Sequence, residues 1–499
     1  MNKVATSIVV ATAAIASAQG GTDVWFQPLT ASAPVVAPNA LEELTAPWAT
    51  PSGILQWNLV NMREVEDKVL SPLESIVRVP AGTSSSMIDM IAYDDTGAYL
   101  FLPHETPFGA GVSRHHILTR TTEVLFQGDQ QGFFGNWQND FGAFDPCRFT
   151  PNGTLFLGEE WAGEGRLVEV LNPFAPKSQI QIRELNSIAN VAHEGINFSL
   201  QDKRTIYYID EWNSGSIYKF VMSIPGDYTK GQTFVLSVDA FKGDPKADWN
   251  VAMNATQPRT GLATWIPITD RNGVPLPGVT DAFRNGQSVA PNLPNVLGGR
   301  PAADDVGGTP YGRPEDMEVS KLRNGNEVFY VAVTSENAIY SFEVLNDRKV
   351  FVRLSANRST PKNAGFAPTT GTLDSPDNLA QDALGNIYVI EDAPNGSNIG
   401  GDIWFMRDVN NDSLAESMDH FMSIRVDGSE GTGMIFNPKV PTEFVVAVQH
   451  PDSTDLAAVP NGLGDAVWAF DISNISNRDF VVRLNNAGKA SSGGDDERD

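Results

Sequence analysis

The chain has 499 residues, with 35 Lys and Arg against 61 Asp and Glu, so its formal net charge at pH 7 is −26. This negative surplus repels phosphate backbones and anionic lipids, which excludes nucleic-acid binding and membrane-surface binding as main functions. The content of 41% hydrophobic and 19% charged residues, with 44 Gly and 32 Pro, predicts a turn-rich β protein. The single cysteine, Cys147, excludes a disulfide framework and any CxxC motif.

The N-terminal segment predicts export. Residues 1–18 combine Lys3, a short apolar run and Ala16-Ser17-Ala18, the small-x-small pattern that precedes signal-peptidase cleavage. We therefore expect a signal peptide cut after Ala18 and a secreted or periplasmic protein. The apolar run is shorter than the ~20 residues that a spanning helix needs, so no membrane span is expected. At the other end, residues 486–499 are small and charged and are predicted to form a disordered acidic tail.

One sequence pattern recurs along the chain and predicts its architecture. Each copy has a turn, then a strand rich in β-branched and aromatic residues, then an acidic residue or histidine. The copies end at Glu105, Glu160, Glu211, Glu336, Asp392 and His450. The spacing between copies is similar except for one long interval between Glu211 and Glu336.

Each copy is also preceded by a strand that opens with a polar cluster and is followed by a further strand. With an outer strand, such a unit forms a four-stranded antiparallel blade. The fold class predicted is therefore all-β, a six-bladed β-propeller, with residues 19–485 as a single domain. The long interval predicts an insertion of about residues 223–312 between blades 3 and 4.

Propeller geometry predicts that the polar clusters form two concentric rings on one face, because strand entry and strand exit meet there. The inner ring holds Asp145, Cys147, Glu194, Arg313, Glu315, Asp316, Asp377 and Glu430, and the outer ring holds Glu105, Glu160, Asp210, Glu211, Glu336, Asp392 and His450. Crowded carboxylates repel one another unless cations neutralise them. Oxygen ligands favour calcium, whereas a Cys147 thiolate favours a transition metal, so these residue types allow a mixed site.

Motifs of several other enzyme classes are missing from the sequence. It contains no GxSxG, no HExxH, no P-loop and no GxGxxG after a strand. Serine hydrolase, zincin and nucleotide-dependent chemistry are therefore disfavoured.

Several stretches resemble the PhoX-type alkaline phosphatases, secreted propeller enzymes that hydrolyse phosphate monoesters at a cluster of calcium and oxo-bridged iron. The stretches, in family order, are Cys147 followed by TPNGTLFLGEE, then AHEGI, IDEWNSGSIYKFV, RPEDMEV, SPDNLAQDALGNIYVIED, and EGTGMIFNP with VAVQHP. The resemblance implies a small phosphomonoester substrate and calcium and iron as cofactors.

The resemblance also assigns roles to individual residues. It implies that Cys147 is the thiolate ligand of the iron pair and that Glu194 and Glu315 are carboxylate ligands. It implies that Arg313 grips the phosphate oxygens, for which a guanidinium fork is suited. The other ring carboxylates that we expect to bind metal are Asp377, Glu430, Glu105, Glu160, Glu211 and Asp392.

Two alternative functions stay open from the sequence. A calcium-dependent lactonase or esterase of the gluconolactonase type would also suit the SPDNLAQDALGNIYVIED stretch. A non-catalytic secreted propeller with structural calcium ions is the other. Cys147 discriminates between the lactonase and a phosphatase, because a calcium-only lactonase has no use for a thiolate.

Overall fold

The computed structural model describes most of the chain. The described residues are 23–36, 45–68, 87–161, 165–242, 257–283, 298–392, 398–453, 456, 459 and 461–492. The predicted signal peptide and the end of the acidic tail lie outside them.

Strands are the main regular secondary structure of the described residues. The strands are β1 (Trp48–Ala49), β2 (Leu55–Asn61), β3 (Ala92–Tyr93), β4 (Tyr99–His104), β5 (Gly111–His116), β6 (Thr121–Gln127), β7 (Phe144–Phe149), β8 (Leu155–Glu159), β9 (Leu167–Val170), β10 (Ile182–Glu184), β11 (His193–Phe198), β12 (Thr205–Asp210), β13 (Asn213–Gly215), β14 (Ile217–Met222), β15 (Gly231–Val238), β16 (Gly261–Pro267), β17 (Tyr311–Gly312), β18 (Pro314–Lys321), β19 (Glu327–Val333), β20 (Ala338–Val344), β21 (Lys349–Asn357), β22 (Pro376–Gln381), β23 (Ile387–Glu391), β24 (Asp402–Arg407), β25 (Ser417–Ile424), β26 (Glu430–Phe436), β27 (Glu443–Gln449) and β28 (Ala466–Asp471). The helices are α1 (Met62–Lys68), α2 (Gly299–Val306) and α3 (Arg478–Ser492). Short 3-10 helices cover Gln131–Phe134, Lys177–Gln179 and Thr334–Glu336.

The repeated sequence pattern forms the strands that it predicts. Every residue of β12 and of β19 is buried, as expected for strands packed on both faces. Tight turns precede many of these strands, and Gly153 and Gly325 adopt φ values of 74° and 88° that favour glycine. The all-β prediction is therefore confirmed.

The strands form antiparallel sheets in a propeller-like arrangement. In the part of the chain that the structure describes, three sheets have four strands each, in the orders β3-β4-β5-β6, β7-β8-β9-β10 and β26-β27-β28-β2. A five-stranded sheet runs β22-β23-β24-β25-β1, and a small ladder pairs β13 with β17. The remaining sheet has nine strands, in the order β11-β12-β14-β15-β16-β21-β20-β19-β18.

We call β3, β7, β11, β18, β22 and β26 the first strands, and β4, β8, β12, β19, β23 and β27 the second strands. Each first strand pairs with the second strand that follows it. The first strands also contact one another in a closed circuit, from β3 through β7, β11, β18, β22 and β26 back to β3. The polar residues at the N-terminal ends of these strands are thereby brought to a common axis.

Part of the segment predicted as an insertion forms strands of the sheets. Within residues 223–312, β15 pairs with β14 as an outer strand, and β16 pairs with both β15 and β21. Thus part of this segment joins two four-stranded meanders into the nine-stranded sheet.

The predicted disordered tail begins too early at residue 486. Helix α3 continues to Ser492, and its residues Phe480 and Leu484 are buried in a core cluster with Trp25. Apolar anchoring of this helix explains why it extends into the polar segment. None of the described helices is long and apolar enough to cross a membrane.

Candidate metal centre

A one-residue β-bulge recurs at the N-terminal end of four first strands. The register shifts between Phe144 and Cys147 in β7, and equivalent shifts occur in β11, β18 and β22. In each strand the residue after the first paired position is a carboxylate, and these are Asp145, Glu194, Glu315 and Asp377. Bulges re-aim side chains, and here they place one acidic group per strand at the axis.

Three of these carboxylates already have the spacing of metal ligands. Oxygen atoms of Glu194, Glu315 and Asp377 all lie within 4.8 Å of one another. Close backbone packing helps to bring them together, since a Cβ at Gly195 would lie 2.7 Å from the Met317 nitrogen and 2.8 Å from the Glu315 carbonyl oxygen. Glycine in the His-Glu-Gly stretch therefore allows β11 and β18 to approach.

The pKa values of these groups reflect burial and mutual repulsion. Burial, followed by the charge of Glu211, raises the pKa of Glu315 to about 8. Burial and the charge of Glu315 raise the pKa of both Glu194 and Asp377 well above the usual range. Like charges held this closely require protons or cations for neutralisation.

A second layer of carboxylates surrounds these groups at the ends of the second strands. Burial and the charge of Asp89 raise the pKa of Glu105 to about 8, and Gln449 donates to Glu105 Oε2 at 2.8 Å. Burial and the charges of Glu211 and Glu105 raise the pKa of Glu160. Electrostatic contacts therefore join both layers into one group.

We call this group the acidic cluster. Glu430 also belongs to it. Burial and then the interactions with Asp392 and Asp377 raise the pKa of Glu430 well above the usual range. His450 Nε2 lies 2.9 Å from Glu430 Oε1. The members of the acidic cluster are Asp89, Glu105, Asp145, Glu160, Glu194, Glu211, Glu315, Asp377, Asp392 and Glu430. All the carboxylates predicted as metal ligands are thus in one place.

Arg313 is a cation within this acidic surrounding. Its Nε lies 2.5 Å from Glu211 Oε1 and 3.3 Å from Glu315 Oε1, and its Nη1 lies 3.8 Å from Asp392 Oδ2. Although burial lowers the pKa of Arg313, the charges of Glu315 and Glu211 raise it overall, so the side chain stays charged. Its side chain is 37% exposed, and its φ of 55° is strained for a non-glycine residue.

The structure does not bring Cys147 into the acidic cluster, in contrast to the expected thiolate ligand. The bulge in β7 shifts the alternation, so Cys147 packs in a core cluster with Phe101, Phe144 and Leu157. Burial raises the pKa of its thiol, with only Arg148 acting in the opposite direction. An iron pair held by this thiolate therefore does not fit the residues present.

Two residues expected in the outer ring are paired with arginines instead. Arg300 of α2 makes a bidentate ion pair with the buried Asp210, with distances of 2.6 and 2.7 Å. Arg259 Nη1 lies 2.8 Å from Glu336 Oε1, and Tyr340 donates to the other oxygen of Glu336. Both arginines come from the predicted insertion, so this segment neutralises carboxylates beside the acidic cluster.

Sequence reasoning missed some residues at the axis. Asp89 lies just before β3, and burial raises its pKa to about 6. The Thr432 hydroxyl contacts Asp89 and Asn378, and Gln449 donates to Asp89 at 3.1 Å. The polar residues at the start of the SSMIDMIAY stretch could have indicated Asp89, because the polar residues at the same place in other copies of the pattern include carboxylates.

A buried ion pair between Arg166 and Glu159 lies next to Glu160. Arg166 donates to both oxygens of Glu159 at 2.7 and 2.8 Å, and it also donates to the Asp140 carbonyl at 2.7 Å. We expect Arg166→Met to lower the free energy of unfolding by about 3–5 kcal/mol, because Glu159 would remain buried without its partner.

Urea unfolding would measure this loss. The matched control is Arg204→Met, which removes the exposed pair with Asp202 and should change stability by only about 0–1 kcal/mol. Equal losses in the two variants would contradict a special role for the buried pair.

Comparison with known proteins identifies the family. The model of the family described as alkaline phosphatase PhoX matches residues 121–452, which is more than half of the chain. A search of curated protein sequences found no match.

Among solved structures, Pseudomonas fluorescens PhoX in complex with vanadate, a transition-state analogue, is similar with a TM-score of 0.59 and 14% identity, over 91% of this chain and 100% of that chain. A Xanthomonas campestris gluconolactonase gives a TM-score of 0.37 and 9% identity, over 91% of this chain and 98% of that chain. The family match and the acidic cluster agree with the resemblance seen in the sequence. The chain therefore belongs to the PhoX alkaline phosphatase family.

Proposed function

We propose that this metal-dependent phosphatase hydrolyses small phosphate monoesters at the acidic cluster, with Arg313 binding the phosphate. The observation that carries this proposal is the position of Arg313, a partly exposed guanidinium among buried carboxylates. A cluster of carboxylates alone would repel a phosphate dianion. A fixed cation beside it supplies the attraction that a phosphate needs.

The carboxylates would hold the metal ions. Glu194, Glu315 and Asp377 offer three oxygens at ligand spacing, and the buried Asp145 Oδ1 has no hydrogen-bond partner among the described residues. These features fit divalent cations bound by oxygen. When bound, such cations neutralise the carboxylates and polarise the phosphoryl oxygens.

Arg313 is oriented by its own ion pairs. Glu211 and Glu315 engage Nε, and the side chain as a whole is 37% exposed. This arrangement leaves planar donors for two phosphate oxygens and limits rotation of the side chain. Arg313 can then stabilise charge on the phosphoryl group without reorganisation during the reaction.

We also propose that residues 19–485 form one six-bladed propeller. The closed circuit of first strands supports this count, with the nine-stranded sheet taken as two blades that β16 joins. Export with a signal peptide cut after Ala18 remains our prediction from the sequence. We also propose calcium as one bound cation, because the cluster offers oxygen ligands.

A substrate panel tests the proposed function. The purified protein, supplied with calcium and manganese, should release phosphate from p-nitrophenyl phosphate and glycerol phosphate. Bis-p-nitrophenyl phosphate, a diester, and an aliphatic lactone serve as the comparison substrates. Lactone hydrolysis without phosphate release would support the lactonase alternative instead, and no turnover of any substrate would favour a non-catalytic protein.

A further inference from the structure

We propose that the metal centre of this chain has only oxygen ligands, that Asp145 is one of them, and that it binds hard divalent cations such as Ca²⁺ with no thiolate-held iron. This inference rests on the proposed metal-dependent function. It concerns the donor atoms, so it can be tested without measuring phosphatase activity.

The first argument is the register of the bulged strands. In β11, β18 and β22, the carboxylate that follows the first paired residue belongs to the trio at ligand spacing. In β7 the same position is Asp145. The bulge is the same in all four strands, so Asp145 is the fourth equivalent carboxylate.

The register assigns Cys147 to a different position. Cys147 is the residue at which pairing resumes after the bulge, and the equivalent residues are Ile196, Met317 and Leu379. Those three side chains are at most 2% exposed and belong to the apolar core. A cysteine at such a position acts as a small apolar residue.

The second argument is an unpaired oxygen on Asp145. The residue is 4% exposed, and its Oδ1 has no hydrogen-bond partner among the described residues. Its carboxylate interacts electrostatically with those of Asp89, Glu160 and Glu105. A buried carboxylate that faces other carboxylates without a donor is the group that a cation would satisfy.

The donor chemistry then selects the metal. Ca²⁺ takes six to eight oxygen ligands with flexible geometry, and carboxylates are typical among them. Soft thiolates select Zn, Cu(I) and iron–sulfur chemistry, but the thiol here is buried among apolar side chains. The geometry thus favours a hard cation at this position.

A pair of variants two residues apart on β7 tests the inference. We expect Cys147→Ala to keep the metal content of the unaltered protein, measured by plasma mass spectrometry after dialysis against calcium and iron together. Asp145→Asn should lower calcium affinity about tenfold or more, as measured by calorimetric titration of the chelated protein. Retained affinity in Asp145→Asn, or metal loss in Cys147→Ala, would overturn the proposal.

Cobalt spectroscopy of the unaltered protein covers the case in which Asp145→Asn fails to fold. Co²⁺ bound by a thiolate absorbs strongly in the near ultraviolet through charge transfer, whereas oxygen-bound Co²⁺ does not. We expect Co²⁺ to bind the chelated protein without this absorption. Its appearance, with loss in Cys147→Ala, would place the thiolate in the metal centre, and either outcome is independent of phosphate release.

Discussion

Replacement of Arg313 by lysine is expected to lower kcat/KM for p-nitrophenyl phosphate by roughly 10- to 1000-fold, the range for loss of one transition-state donor. Lysine keeps the positive charge near Glu211 and Glu315, but it lacks the planar fork that can hold two phosphate oxygens. The melting temperature and the metal content should therefore stay close to those of the unaltered enzyme. Steady-state kinetics, thermal unfolding and metal analysis on the same preparation measure the three quantities.

The control separates catalysis from charge balance. Arg358→Lys alters an exposed arginine that pairs with Asp374, and it should leave kcat/KM unchanged. If Arg313 only relieves repulsion among carboxylates, activity and stability of Arg313→Lys would fall together or neither would change. A fully active Arg313→Lys enzyme would remove this residue from phosphate binding.

Removal of the metal ions is expected to make stability strongly dependent on pH. In metal-free protein, the raised pKa values of about 8 for Glu105 and Glu315 mean that the folded state holds protons that the unfolded state releases near pH 4.5. The contribution of these two groups to the free energy of unfolding should therefore be largest below about pH 4.5 and should fall as pH rises toward 8. Thermal unfolding in chelator between pH 5 and 8.5 would measure this decline.

Calcium should reverse the decline. Each site filled at 100 times its dissociation constant adds about 2.7 kcal/mol to the free energy of unfolding. Sodium chloride at equal ionic strength is the control, because it screens charges without filling a site. A melting temperature that chelator and calcium both leave unchanged at pH 8 would contradict a cation-dependent acidic cluster.

The sequence pattern was sufficient for the strands and for most of the acidic cluster. A turn followed by a strand and a carboxylate is local information, so Glu105, Glu160 and Asp392 could be placed at strand ends without any coordinates. The family resemblance then led to Arg313. The same pattern also predicted an all-β fold, because strand alternation and turn residues repeat along the chain.

Other features depend on information that is not local. Strict alternation puts Asp145 and Cys147 on one face, and only the paired register reveals the bulge that separates them. The partners of Arg259 and Arg300 lie 77 and 90 residues away in sequence, so no local motif marks these ion pairs. Asp89 was missed because its strand, β3, is only two residues long.

The pairing of β2 with β28 has a consequence for how the molecule assembles. Strand β2 from the N-terminal part lies beside β28 from the C-terminal part, and Trp25 donates to Tyr388, 363 residues later. Such contacts have high contact order, so the seam between the two chain ends forms only after the rest of the chain has been synthesised. Until then β2 and β28 are unprotected edges that can pair with other chains. Proteolysis and aggregation during folding should therefore begin at this seam, and a truncation that removes β28 should leave the edges of β2 and β27 unpaired.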